Sequence, residues 1–508
     1  MSVAEAGERP EINPWLTAIA VMFGSAMVYL DTTVVNLSLP YIAGSLSSSV
    51  NEATWSLTSY LAANAIVLPL SGWLASVVGR KRLLLLSIAT FTLSSVLCGA
   101  APTLGTLIVF RILQGLTGGV MQPLSQAIML ESFPIEQRGR AMGFWSLGLV
   151  LAPIIGPLLG GWLTEHSSWR WVFFINVPFG LLGLLFVGLW VWDPPYVRRR
   201  SEHVDVRGIC LLALSIAAVQ IALDRGHDED WLHSTLIRAL LVAAAVAGVW
   251  FILHARRAAE PVVDLSVYRD ATFAIGSLLS ALIGFLLYGS IVLLPLMLQT
   301  LIGYPPVDAG WIIAQRGIGA FLAFPIVGVL ADRWDQRKLL ASGLVLGVVT
   351  MLAFAELNLD LGAADLFWPQ FVQGVALGLL FVPMTTLTMA RISNEQMGNA
   401  SSLFNMTRNV GSSLGIALTS TYLQRTTTVH RSQLAERMTP YDPQWRERFG
   451  DGVETFRSVD AVGPDRQLLA LRGALEEQSS LLAFLDTFRL FALVFAVMVP
   501  LVFVMRRR

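Results

Sequence analysis

The sequence predicts an all-α polytopic membrane protein made of two six-helix bundles with two extra linker helices, and three observations carry that prediction. Fourteen apolar stretches long enough to cross a bilayer recur along the 508 residues. Charged residues make up only 14% of the chain, against about a quarter in soluble domains, and mean hydropathy is +0.63. The third is an internal repeat at an offset of about 256 to 260 residues.

Taken in order, the spans fall near 15–38, 53–76, 83–101, 104–129, 139–163, 170–192, 207–223, 235–254, 272–299, 309–331, 338–356, 366–390, 401–424 and 481–505. The polar start of the chain carries Glu5, Glu8 and Glu11, which does not suit a cleavable signal, so the first apolar run is expected to remain as a span. In the repeat, Gly72-Trp-Leu-Ala and Gly79-Arg-Lys-Arg return as Gly328-Val-Leu-Ala-Asp-Arg and Gln336-Arg-Lys, and Gln114-Gly115 returns as Gln373-Gly374. The expected organisation is a tail over 1–14, a first bundle over 15–195, two additional helices over 196–258 and a second bundle over 259–508, with a polar outer loop at 425–480. Two bundles of this kind place a transport site at their interface near the midplane.

Orientation follows from arginine and lysine. Loops holding Arg80, Lys81, Arg82, Arg138, Arg140, Arg198 to Arg200 and Arg337 alternate with loops that hold only Arg170 and Arg225, which predicts both termini on the cytoplasmic side. Zero net charge argues against nucleic acid as a partner. Cys98 and Cys210 lie in apolar runs and read as buried small hydrophobes. No phosphate loop, zinc-protease motif or haem signature is present, so neither an enzyme nor a bound cofactor is expected.

The residues able to do chemistry are the polar ones at membrane depth. Asp31, within Tyr29-Leu-Asp-Thr-Thr-Val-Val-Asn36, costs roughly 3 kcal/mol to hold in hydrocarbon, and such a carboxylate is by default functional. Desolvation would make it a proton carrier near neutral pH, the alternative being a carboxylate simply solvated near the outer interface. Arg111 opens Arg-Ile-Leu-Gln-Gly in the fourth span; it keeps its own proton but resets that of a nearby carboxylate, and Gln370 stands at the matching place in the second half. Candidate substrate contacts are Asn36, Gln114, Gln122, Gln126, Trp145, Arg316, Asn405, Arg408 and Asn409. Cavity lining and interhelical hydrogen bonding account for these equally well. In the fifth span Gly148, Ala152, Gly156 and Gly160 recur every four residues, with Pro153 and Pro157 beside them. That is a small-residue face on which another helix can pack closely, read as a packing joint with a mechanical role.

These stretches resemble the major facilitator superfamily, and within it the fourteen-helix drug:proton antiporters of the EmrB/QacA type. The resemblance rests on Leu30 to Pro40, Gly72 to Arg82, Arg111 to Gly119, Gly148 to Gly161, Pro123 to Gln126, Trp171 to Pro178 and Asn399 to Ser402, and it covers nearly the whole chain. It implies the major facilitator fold, proton coupling through Asp31 and Arg111, a joint between the bundles at the Gly148 to Gly161 face, and conformational roles for Gly72, Gly79, Arg80 and Asp332. Ser76 stands where the loop motif usually has an aspartate, which puts a charge latch in the first half in doubt. The expected function is proton-coupled efflux of hydrophobic toxic compounds across a bacterial inner membrane, driven by the proton gradient. A periplasmic adaptor (EmrA-like) and an outer-membrane channel (TolC-like) are the partners the resemblance suggests. A same-fold exporter of one dedicated solute, or a non-transporting scaffold or sensor, is the alternative.

Overall fold

The computed structural model describes residues 13–193, 205–226, 229–258, 260–359, 362–437 and 464–505. Fourteen long helices account for most of them. The first bundle contains α1 (Pro14–Ser45), α2 (Trp55–Val78), α3 (Arg80–Ala100), α4 (Leu104–Ser132), α5 (Arg138–His166) and α6 (Trp171–Trp190). Next come α7 (Val206–Gly226) and α8 (Thr235–Ala255). The second bundle contains α9 (Ala271–Leu296), α10 (Pro306–Arg333), α11 (Gln336–Phe354), α12 (Ala363–Thr388), α13 (Met397–Arg437) and α14 (Pro464–Val504). Twelve candidate spans meet both length and hydropathy among the described residues; α5 and α13, also of spanning length, pack inside the bundles and complete the fourteen.

Local signals explain where the helices begin. Thr103 and Thr106 form a capping box at the start of α4, Asp270 accepts the Phe273 N–H at 3.0 Å to cap α9, and Asp335 caps α11 through Arg337 N. Between α2 and α3 the chain reverses at Gly79, whose φ of +94° suits glycine alone; a Cβ there would also lie 3.0 Å from the Asp193 carboxylate.

The repeat is visible in the packing. In the first bundle α1 packs on α5, α2 on α4, and α3 on α4 and α6; in the second, α9 packs on α13, α10 on α12, and α11 on α12 and α14. Across the seam α5 meets α10, and α13 meets α2. The linker pair α7 and α8 pack on each other, and α7 lies against both α2 and α13. At its start Asp205 accepts from Gly208 N at 2.9 Å and lies 2.7 Å from His254 Nε2 of α8. Burial raises the Asp205 carboxyl, but these two partners hold it below the usual carboxylate range.

Two expectations need correction. The 425–480 stretch is not simply a loop: α13 runs on to Arg437 and α14 starts at Pro464. Each has 41 residues and so spans about 60 Å, twice the hydrocarbon thickness. The start of α13 is fixed against α2, and Arg337 at the start of α11 donates to the Met505 carbonyl at 3.1 Å, so the surplus overhangs the face opposite the termini. There His430 of α13 meets Asp486 of α14 at 2.7 Å, and Asp486 holds Arg489 at 2.9 Å. The second correction is Cys210, which is exposed on α7, whereas Cys98 is buried.

Candidate functional site

The first bundle encloses a charged cluster. Asp31 on α1 has no solvent exposure, nor does Arg111 on α4. Arg111 Nη1 donates to Asp31 Oδ2 at 2.6 Å, while Gln114 Nε2 and Asn176 Nδ2 each donate to Asp31 Oδ1 at 2.9 Å. All three contacts are donors, an arrangement that serves an ionised carboxylate.

Arg111 is itself held from several sides. Its Nε donates to the Ser56 carbonyl at 3.1 Å, its Nη1 also reaches Gln114 Oε1 at 2.7 Å, and its guanidinium lies 4.1 Å from the Tyr60 ring centroid. Ser95 on α3 accepts from Gln114 at 3.2 Å and from Asn176 at 2.9 Å, and donates to the Phe173 carbonyl at 2.8 Å. Five of the six helices of the bundle thus converge on one carboxylate. Asn176 reaches it because α6 is broken at Ile175, which places Asn176 at the start of the longer segment, Asn176–Trp190. Sequence reasoning singled out Asp31, Arg111 and Gln114 but not Asn176, Ser95 or Tyr60.

A second polar cluster bridges the bundles. Gln122 Nε2 donates to Tyr29 Oη at 2.6 Å and to Asn405 Oδ1 at 3.3 Å, Asn405 Nδ2 donates to Gln126 Oε1, and Arg408 Nη2 donates to Asn405 Oδ1 at 2.6 Å. Trp145 is buried beside the core, and its Nε1 has no partner among the described residues. Asn409 instead lines an apolar cavity of about 280 Å³ between α2, α7, α8 and α13, together with Leu212, Gln220, Phe251 and Tyr268. Asn36 is exposed and joins neither cluster. Arg316 is partly buried on α10 and, among the described residues, makes no hydrogen bond to either.

The face that carries the termini is sealed by contacts between the bundles. Gly72 N and Ser71 Oγ meet Ser402 Oγ at 2.9 and 2.7 Å, and a Cβ on Gly72 would lie 2.8 Å from the Gly398–Asn399 backbone. Asp332 of α10 accepts the Gly139 N–H of α5 at 2.8 Å and pairs with Arg140 at 3.2 Å. Arg80 pairs with Glu131 and reaches the Asn394 carbonyl at 3.4 Å, and Arg138 reaches Asn394 Oδ1 at 3.2 Å. Ser76, standing where a latch aspartate was expected, donates to the Trp73 carbonyl at 2.7 Å, so among the described residues the charged latch is found on the Asp332 side.

The small-residue face of α5 lies elsewhere than expected. Gly148 packs on Met22, Gly156 on Thr33 and Gly160 on Val34, while Thr33 Oγ1 donates to the Ala152 carbonyl at 3.3 Å, all within the first bundle. The joint between bundles is formed instead by Gly139 and Gly143 against Gly328 and the Phe324 carbonyl. Gly143 and Gly148 are five residues apart, which turns them about 140° from each other round the helix. The side chains of Pro153 and Pro157 lie outside the described residues.

A profile of the Major Facilitator Superfamily matches residues 21–416, well over half of the chain. The chain belongs to the major facilitator superfamily. Among relatives of this superfamily, it is 38% identical over 431 residues to the multidrug export protein EmrB of Escherichia coli K12, covering 84% of each chain. It is 33% identical to the fatty acid resistance protein FarB of Neisseria gonorrhoeae, covering 96% of this chain and 95% of FarB. The solved structure of the major facilitator proton:xylose symporter XylE superposes with a TM-score of 0.59 at 14% identity, covering 96% of both chains, which shows the shared fold. The major facilitator fold accounts for the two related bundles, and the relatives place the chain on the EmrB branch of transporters.

Proposed function

We propose that this protein is a proton-coupled multidrug exporter of a bacterial inner membrane, with both termini in the cytoplasm. The observation that carries this reading is the sealed Asp31–Arg111 pair, a titratable group held in the membrane interior by five helices. Similarity to EmrB, a multidrug export protein, supports the export half of the reading. The arginine and lysine bias of the loops supports the orientation.

In the conformation described, the cytoplasmic side is closed and Asp31 is bound to Arg111. A proton arriving on Asp31 removes its charge, weakens its pair with Arg111 and adds an O–H that faces only donors in this arrangement. Because the donors sit on α4 and α6 while Asp31 sits on α1, weakening these bonds loosens the packing of α1 within its bundle. Drug leaves toward the outer side in this state, and the bundles then rock across the Gly72–Ser402 and Gly139–Asp332 seams to face the cytoplasm. The overhanging ends of α13 and α14 are the surface offered to a periplasmic adaptor (EmrA-like), which an outer-membrane channel (TolC-like) would extend.

Expression in a pump-deficient bacterium tests the reading. Raised tolerance to several chemically unrelated hydrophobic drugs is expected. Tolerance to a single compound would replace it with a dedicated exporter.

A further inference from the structure

The apolar cavity that Asn409 lines sits where the linker pair meets both bundles. Four helices wall it. α2 contributes Ala65 and Pro69, α13 contributes Leu403 and Val410, and α7 and α8 close it with residues such as Leu212 and Phe251. Along α7 the lining runs from Leu212 to Leu223, eleven residues apart or about 17 Å of helix rise. That is close to half the hydrocarbon thickness of about 30 Å, the depth of one leaflet. Val263, Leu265 and Tyr268 wall the end toward the termini, where Asp264 N donates to Asn399 Oδ1 at 3.2 Å.

The polar groups of this wall serve one another. Ser215 Oγ donates to the Ala244 carbonyl at 3.0 Å, Gln220 accepts from Ser413 at 3.0 Å and donates to Asp224 at 3.1 Å, and Tyr268 Oη meets Thr407 Oγ1 at 2.9 Å. Among the described residues no polar side-chain atom of the wall is buried without a partner. Such a slot offers an apolar occupant dispersion contacts, and left empty it forfeits them.

Positive charge lies just beyond the slot. Arg256 follows Ile252 of the wall by one turn on the same face of α8, Arg257 is next to it, and Arg207 stands in the first turn of α7. All three are exposed, and among the described residues none of their side chains makes an ion pair. Asp205, the carboxylate at this end of the linker pair, is taken by Gly208 N and His254, which leaves Glu260 as the exposed acid nearby in the chain. Three cations against one exposed carboxylate at the end of a spanning pair attract an anionic headgroup. A guanidinium also answers a phosphate with paired donors.

We propose that an anionic phospholipid binds here, with one acyl chain in the slot between the linker pair and the bundles and its phosphate on Arg256, beside Arg207 and Arg257. Because α2 of one bundle and α13 of the other both wall the slot, the chain touches both sides of the seam. A drug-sized ligand is the poorer occupant. Sites for such ligands run to about 300–1,000 Å³ and aim polar groups inward, whereas this slot holds about 280 Å³ and its polar groups are turned on each other.

The test is native mass spectrometry of the purified full-length chain, stripped of lipid in detergent, with phosphatidylglycerol and phosphatidylcholine of the same acyl chains as probes. One phosphatidylglycerol should be retained per chain, about tenfold more tightly than phosphatidylcholine. Arg256→Gln should cut that preference about fivefold, and adding Arg207→Gln and Arg257→Gln should erase it by weakening the anionic lipid alone. Phosphatidylcholine retained as in the wild type reports that these variants are folded. Val219→Phe, which fills the slot, should lower retention of both lipids. A readout that needs no variant is phosphatidylglycerol with a photoreactive diazirine at the end of its acyl chain, which should label the wild type within Leu212–Leu223 or Leu403–Val410. Equal affinities in the wild type, a preference that survives the triple variant, or label confined to other helices would each overturn the proposal. Labelling abolished by an uncharged hydrophobic drug but untouched by excess phosphatidylglycerol would give the slot to drug and overturn it as well.

Discussion

The two bundles differ where their shared frame would make them alike. Both cross α2 on α4, or α10 on α12, at a glycine pressed on a carbonyl, and both carry a glutamine beside it. Yet the first encloses a charge pair, in which Arg111 Nη2 and Asn176 Oδ1 are still left without partners, and the second holds neutral Gln370 and, among the described residues, a cation without a counter-charge. Backbone approach and side-chain chemistry are thus separable. The crossings build the fold twice, and the ionisable machinery is installed once.

That contrast can be broken at the frame or at the chemistry. The largest effect is expected at the frame: Gly115→Leu and Gly374→Leu should each abolish folded protein, since both force a side chain into a neighbouring backbone carbonyl. Size-exclusion chromatography of the detergent-solubilised protein would show it, and a monodisperse peak from either variant would refute the equivalence. Next comes Arg111→Leu, which leaves Asp31 buried without its cation and should cost about 3–5 kcal/mol of stability. Thermal unfolding in detergent reads this, and adding Asp31→Leu should restore most of the loss. At the matching position Gln370→Leu should change stability by no more than about 1 kcal/mol, toward gain, because it removes two unpartnered amide atoms. The smallest effect belongs to Gly161→Ala, whose new methyl meets nothing within 4 Å and should stay within about 0.5 kcal/mol of the parent.

The fold was legible because hydrocarbon imposes a single rule on every span, and fourteen apolar runs obey it. Asp31 and Arg111 were legible for the related reason that charge in lipid is costly enough to mark itself. Asn176, Ser95 and Tyr60 carry no such mark. A neutral polar side chain in a membrane helix becomes part of a site only through its neighbours, and the break before Asn176 that aims it at Asp31 is a tertiary feature. The spacing of Gly148 to Gly160 announced a packing face correctly but not its partner, which proved to be α1 within the same bundle. The overhangs of α13 and α14 were read as loop because a helix exposed to water on most sides shows little apolar periodicity.

The central claim, that Asp31 couples proton entry to drug exit, is tested most directly in proteoliposomes holding the purified protein and an internal pH dye. Several unrelated hydrophobic drugs added to the wild type should each trigger proton movement. Asp31→Asn keeps the shape and most of the hydrogen bonds around the site, so it should fold and show none. Drug-triggered proton movement of wild-type size in Asp31→Asn would contradict the account.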